Sequence, residues 1–251
     1  MERLKNKIAV ITGASSGIGA GIAESFVSEG ADIVINYRKS QSDAETVLEK
    51  NKSFGRKISL IQADVSSKSD INHLIQSTLD EFGRIDIWVN NAGADILTGK
   101  GASADVDEKL EQLIQTDLKG TINTCWLVSE IMKKQGHGVI VNMGWDLSIH
   151  GFKGINPQIF AASKSAVLGF TRAFAKTVGP QIRVNMVSPG WIVTAFAEKN
   201  LESPFYQERL SEIPLGRFGS PEDIAEAVVF LSSDESSYIA GESININGGL
   251  I

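Results

Sequence analysis

The sequence predicts an α/β fold: a single domain on a doubly wound, seven-stranded parallel sheet with helices on both faces. Three observations predict it. Short runs of β-branched and aliphatic residues recur along the chain; they alternate with longer stretches whose apolar residues fall at helical spacing; and the short runs are continuously apolar, as suits strands covered on both faces. With 251 residues, 42% of them hydrophobic, the chain has material for one large core.

Taken in order, Ile-Ala-Val-Ile-Thr at 8–12 opens the sheet and the amphipathic stretch 19–29 follows as a helix. Ile-Val-Ile-Asn at 33–36 and Ser-Leu-Ile-Gln at 59–62 give the second and third strands, and 68–82 is helical by its apolar spacing. The run 85–90 is the fourth strand, 106–134 a long helix, 138–143 the fifth strand, and 161–178 a helix rich in alanine. Strand six is expected at 183–187, a helix at 221–231, and the last strand at 243–246. The alternation is βαβ throughout, so the crossovers are right-handed. The segment 194–215 breaks this rhythm and carries Phe196, Phe205 and Tyr206 among charged residues; it reads either as a lid over a substrate or as an irregular helical hairpin.

Composition excludes several function classes. The chain holds 24 basic and 30 acidic side chains, a net charge of -6, with neither sign gathered into a run that would grip phosphate backbones, so nucleic acid is not an expected partner. Cys125 is the only cysteine, the first residues lack the apolar core of a secretory signal, and no apolar stretch approaches the ~20 residues that span a bilayer. A cytoplasmic location is expected. His73, His137 and His150 show no metal-ligand spacing, and no metal is expected.

The first strand runs into Thr12-Gly13-Ala14-Ser15-Ser16-Gly17-Ile18-Gly19. Three glycines there permit a tight turn, close approach of a pyrophosphate to the backbone and close helix packing, while the following helix directs free N–H groups at the anion. Strand, turn and helix in the first βαβ unit are the context such a motif requires, and they indicate a dinucleotide-binding Rossmann domain.

These residues, with Asp64-Val65 after strand three, Asn90-Asn91-Ala92-Gly93 after strand four, Ser188-Pro189-Gly190-Trp191 and the terminal Ile246-Asn247-Gly248-Gly249, resemble the short-chain dehydrogenase/reductase family, particularly its 3-oxoacyl-acyl-carrier-protein reductases and glucose dehydrogenases. The resemblance covers nearly the whole chain. It implies that Gly13, Ser15, Ser16, Gly17, Ile18 and Gly19 cradle the cofactor, that Asp64 and Val65 meet its adenine, and that Asn91, Ala92 and Gly93 line it. It further implies that Asn90 supports the central strand, that Pro189, Gly190, Ile192 and Thr194 flank the nicotinamide, and that Lys164 contacts the nicotinamide ribose. Strand two ends Asn36-Tyr37-Arg38-Lys39, with no acidic residue for a ribose 2′-hydroxyl; Arg38 offers a cation for a 2′-phosphate, which favours NADP(H) over NAD(H).

At the chemical centre the sequence departs from the family. There, a tyrosine four residues before the lysine protonates the carbonyl oxygen, a serine after strand five hydrogen-bonds it, and an asparagine in the preceding long helix completes a relay. Here Phe160 precedes Lys164, Trp145 falls where serine is expected, and Asp117 takes the asparagine position. Strand alternation favours Trp145, while Ser148-Ile149-His150-Gly151 offers Ser148 by a second alignment. Asp117 would hold a water or pair with Lys164. Family-type ketone reduction is therefore expected to be lost or strongly impaired. The alternative is an active NADPH-dependent oxoacyl reductase with a replacement donor, for which His150 has the most suitable intrinsic pKa, with Asp146 and Tyr206 as further candidates. Small residues on 106–134 and 161–178 allow close packing, and the resemblance implies a homo-oligomer, dimer or tetramer, acting on a small or carrier-bound acyl substrate.

Overall fold

The computed structural model describes residues 2–97, 99–194 and 201–251. Seven parallel strands form one sheet: β1 (Ile8–Ile11), β2 (Asp32–Tyr37), β3 (Ile58–Gln62), β4 (Ile87–Asn90), β5 (Gly138–Met143), β6 (Ile182–Pro189) and β7 (Ser243–Ile246), in the order β3-β2-β1-β4-β5-β6-β7. The first three strands wind outward from β1; the chain then crosses to β4 and winds the other way. This leaves a crevice at the carboxyl ends of β1 and β4, the place where such sheets receive ligands.

Successive residues of one strand enter different cores. Ala9 and Ile11 belong to the core that includes Ile22, Phe26, Ile224 and Val228, whereas Val10 joins Ile71, Leu74, Val128 and Phe174 on the other face. Ile33 and Ile35 likewise separate from Val34. A strand with both faces buried must be apolar at every position, which is why these runs do not alternate.

The helices are α1 (Gly17–Ser28), α2 (Gln41–Asn51), α3 (Lys68–Phe82), α4 (Gly99–Ser103), α5 (Val106–Leu113), α6 (Thr121–Gln135), α7 (Leu147–His150), α8 (Ile155–Val178), α9 (Pro204–Glu212) and α10 (Pro221–Ser232). The expected long helix over 106–134 is interrupted by a π-helical turn, Ile114–Gly120, between α5 and α6. The expected helix from 161 starts earlier, at Ile155. Helix α2 was not anticipated because its apolar stripe is short: only Ala44, Val47 and Leu48 pack on the core, among polar and charged neighbours. Within 194–215, residues 195–200, Phe196 among them, lie outside the described residues; the rest contains α9, capped by the Ser203 side chain. Among the described residues no helix is long and apolar enough to cross a membrane.

Candidate active site

The turn between β1 and α1 is held from several sides. Thr12 Oγ1 donates to Val89 O and accepts from the N–H groups of Asn91 and Ala92, and Asn91 Nδ2 donates to the carbonyls of Thr12 and Gly13. Gly13 and Gly17 have φ of 62° and 54°, where a side chain is strained. A Cβ at Gly19 would stand 2.4 Å from Gly13 O, so that glycine lets helix and turn meet. Ser16 begins α1 in extended conformation without capping it, and no acidic residue occupies the first turn. By contrast the side chains of Ser67, Asp105, Ser203 and Ser220 cap α3, α5, α9 and α10. The N–H groups of α1 thus remain available to an anion from outside the helix. Ser15 and Ile18 are half-buried, Ile18 packing on the core. Opposite the turn, Thr194 Cγ2 lies 3.7 Å from where a Gly17 Cβ would stand, so the missing side chain keeps open the gap between turn and post-β6 segment.

At the far end of the crevice Arg38, half exposed, lies 3.6 Å from Asp64 Oδ2, while Asp64 Oδ1 accepts from Ser66 N–H and Oγ. Beneath them Asn36, buried at the end of β2, accepts from Gly13 N–H and donates to the carbonyls of Ile61 and Ala63. It braces the β1–α1 turn and the end of β3 against β2. Sequence reasoning had read Asn36 only as a strand end; a polar residue closing an apolar run was the available signal. Val65 O would sit 3.0 Å from a Gly120 Cβ, so glycine lets the π turn abut the Asp64–Val65 loop.

The buried Asn90 ties β4 to its neighbours. Its amide accepts from Trp88 Nε1 and Thr124 Oγ1 and donates to Asn142 Oδ1, and Asn142 donates on to Thr171. This satisfied network locks β4, β5, α6 and α8 together behind the crevice.

In front of it the π turn presents Asp117. Its Oδ2 accepts from Ala94 N–H at 2.8 Å, which fixes the preceding Ala92 and Gly93. Its Oδ1 lies 2.9 Å from Lys164 Nζ, off the direction of an aligned hydrogen bond, with the carboxylate 1% and the lysine side chain 8% exposed. Lys164 Nζ also donates to Met143 O, the last carbonyl of β5. Asp117 thus pairs with Lys164.

Phe160 stands one turn before Lys164 on α8, and Lys164 Nζ lies 5.4 Å from its ring centre. Trp145, two residues beyond β5, packs edge-on against Phe160 with centroids 5.3 Å apart. Trp145 therefore meets position 160, whereas Ser148 lies within α7 and is joined to α8 through its carbonyl, which accepts from Ser165 Oγ. His150 ends α7 exposed to solvent. Asp146 is buried: Oδ1 caps Leu147 N–H, Oδ2 accepts from Asn247 Nδ2, its own N–H donates to Pro189 O, and burial pushes its carboxyl above the ordinary aspartate range. Gly190 N–H donates to Ile246 O, and Ile192 bridges to Gly219, so Pro189 to Thr194 is held along the crevice rim.

Beyond that rim Trp191 meets Phe152, Phe205 and Tyr206, and Tyr206 meets Phe218. The guanidinium of Arg209 on α9 lies over the rings of Phe152 and Phe205, at 5.2 and 5.6 Å. This aromatic cluster is fed by four separate segments: Phe205 and Tyr206 were legible within 194–215, whereas Phe152, Trp191 and Phe218 had no local signature in the sequence. Burial raises the Tyr206 hydroxyl pKa. Among the described residues no tyrosine contacts Lys164.

A glycine turn at the carboxyl edge of a parallel sheet, with a buried lysine across the crevice, defines a dinucleotide-type oxidoreductase fold. The model of a family described as Enoyl-(Acyl carrier protein) reductase matches residues 13–251. The chain is 38% identical over 252 residues to the 3-oxoacyl-[acyl-carrier-protein] reductase FabG of Thermotoga maritima, covering 99% of both, and 39% identical over 252 residues to that of Chlamydia muridarum, covering 98% of both. A short-chain dehydrogenase of Burkholderia cenocepacia, solved in complex with NADP, superposes with a TM-score of 0.87 at 30% identity over 99% of each chain. A 7α-hydroxysteroid dehydrogenase solved with NADH superposes at 0.88 with 29% identity, over 99% of this chain and 95% of that one. The chain belongs to the short-chain dehydrogenase/reductase family.

Proposed function

We propose that this protein binds NADP(H) in the crevice between β1 and β4 and has lost, or nearly lost, the ketone reduction named for its relatives. The residues fit the cofactor. The uncapped α1 N-terminus with Gly13, Ser15, Ser16, Gly17, Ile18 and Gly19 would hold the pyrophosphate, and Arg38, Asp64 and Val65 the adenosine end. Asn91, Ala92, Gly93, Lys164, Pro189, Gly190, Ile192 and Thr194 would line the rest. One similar structure carries NADP and another NADH, so likeness of fold leaves the choice open; Arg38, with no acidic residue ending β2, favours NADP(H).

A bound reduced nicotinamide supplies hydride. The chain must then supply a proton to the nascent alkoxide, and the single observation that carries the proposal is that a phenyl ring, Phe160, faces the Lys164 ammonium at 5.4 Å in the position of a hydroxyl. Trp145 fills the neighbouring space without a hydroxyl, and Asp117 cancels the lysine charge that would steady an oxyanion. Loss of a general acid costs ~10²–10⁴ in rate and loss of an oxyanion donor ~10²–10³, without simple multiplication. No observation favours His150 as a substitute donor.

The test pairs binding with turnover. NADPH titrated against the protein's tryptophan fluorescence should bind, and acetoacetyl thioesters should drive NADPH oxidation at or near background. Phe160→Tyr with Trp145→Ser should raise that rate about a hundredfold or more. Rapid reduction by the unaltered protein would overturn the proposal. By resemblance the protein assembles with itself.

A further inference from the structure

We propose that the cleft beside Lys164 accepts a cationic electrophile, an aryl iminium, in preference to a neutral ketone. The inference rests on the NADP(H) reading above and concerns what sits opposite the cofactor. Three features of the site point the same way.

The first is proton balance. Hydride addition to a ketone leaves an alkoxide that needs a proton, and no acidic hydroxyl touches Lys164 among the described residues. An iminium needs none: a C–H bond forms at the iminium carbon, the C=N π pair becomes the nitrogen lone pair, and the positive charge passes to the oxidised nicotinamide. Hydride, electrons and charge balance with NADPH as the only co-reactant.

The second feature is the wall. Trp145 and Phe160 present aromatic surface at 5.3 Å, and Phe160 already lies 5.4 Å from one ammonium. Aromatic faces attract cations most where water is excluded, and both rings are at least half-buried. The third is charge. Lys164 and Asp117 are both buried and 2.9 Å apart, so the pair is neutral as a unit. A developing oxyanion finds no uncompensated cation there, and an incoming cation meets no uncompensated repulsion. Asp117 Oδ1 is itself buried and faces Lys164 Nζ without an aligned hydrogen bond, so it compensates the lysine by charge alone.

The experiment uses the full chain saturated with NADPH, whose nicotinamide is neutral, its binding established first. Two non-reacting probes are then compared by calorimetry: the N,N-dimethyl tetrahydroisoquinolinium cation and its neutral carbon isostere, dimethyltetralin. The cation should bind about tenfold more tightly. Phe160→Leu should remove most of that preference. Asp117→Asn should weaken the cation several-fold and leave the isostere unchanged, thermal unfolding followed by circular dichroism reporting that each variant is folded. In parallel, NADPH oxidation should be faster with an N-methyl dihydroisoquinolinium than with tetralone. Equal affinity of the two probes for the NADPH complex, or an unchanged ratio in folded Phe160→Leu, overturns the cation proposal while leaving nucleotide binding intact. Failure to bind NADPH at all overturns both.

Discussion

Lys164 and Asp117 share one buried contact, but removing either partner has unequal consequences. Lys164→Met strands a carboxylate that is 1% exposed, with Ala94 N–H as its remaining hydrogen-bond donor. Breaking a buried pair in this way costs about 3–5 kcal/mol. Asp117→Asn costs less, because an amide oxygen still accepts from Ala94 and Lys164 keeps its bond to Met143 O. The double substitution should recover much of the loss seen with Lys164→Met. Urea unfolding with an unchanged m-value measures all three, and a Lys164→Met midpoint equal to that of the unaltered protein would mean the pair is hydrated in solution. At this scale the sequence was most informative where a residue type is forced by the backbone, as at the turn glycines Gly13, Gly17 and Gly19. It was least informative for Asn36 and Arg209, whose partners lie in distant segments and follow no period.

The elements repeat that division. Strands covered on both faces announced themselves by composition, but the π turn at Ile114–Gly120 did not, since its apolar spacing continues that of α5 and α6. The turn nevertheless decides where Asp117 points, and such insertions concentrate at functional sites. At the amino ends of the central strands, Asp86 accepts from Ile8 N–H of β1, from Arg84, and from His137 just before β5. Burial pushes its carboxyl up, but the hydrogen bonds from His137, Ile8 and Arg84 outweigh burial and hold it below the ordinary value of 3.8. A carboxyl depressed in the folded state contributes stability that is fully present above the unfolded value and is lost as pH falls through the folded one. The protein should therefore lose stability progressively below about pH 4, and Asp86→Asn should flatten that decline while lowering stability at neutral pH. Denaturant midpoints across pH 3 to 7 read the slope; parallel curves for the two proteins would exclude Asp86 as its source.

At the scale of the whole molecule, α6 and α8 leave a surface that a single copy does not cover. Trp126, 55% exposed, meets Phe170 edge-on, and Phe170 stacks on Phe174 at 5.0 Å. These rings line a groove of about 520 Å³ whose rim carries Glu130 and Lys133, paired with each other. A two-fold axis through such a groove would bring apolar residues together at the centre and set Glu130 of one copy against Lys133 of the next, so that one patch serves both sides of an isologous interface. Light scattering should accordingly give the mass of a dimer or tetramer. An aromatic anchor at the centre of an interface is worth about 2 kcal/mol or more, roughly thirtyfold in dissociation constant, and an aspartate there adds a buried charge without a partner. Trp126→Asp should shift the protein toward monomer at concentrations where the unaltered chain remains assembled, with NADP+ affinity preserved because the cofactor turn lies on other elements. A monomeric unaltered protein would rule out this face as an interface. Assembly persisting in Trp126→Asp would move the interface elsewhere, with the C-terminal strand β7 as the remaining sheet edge on that side.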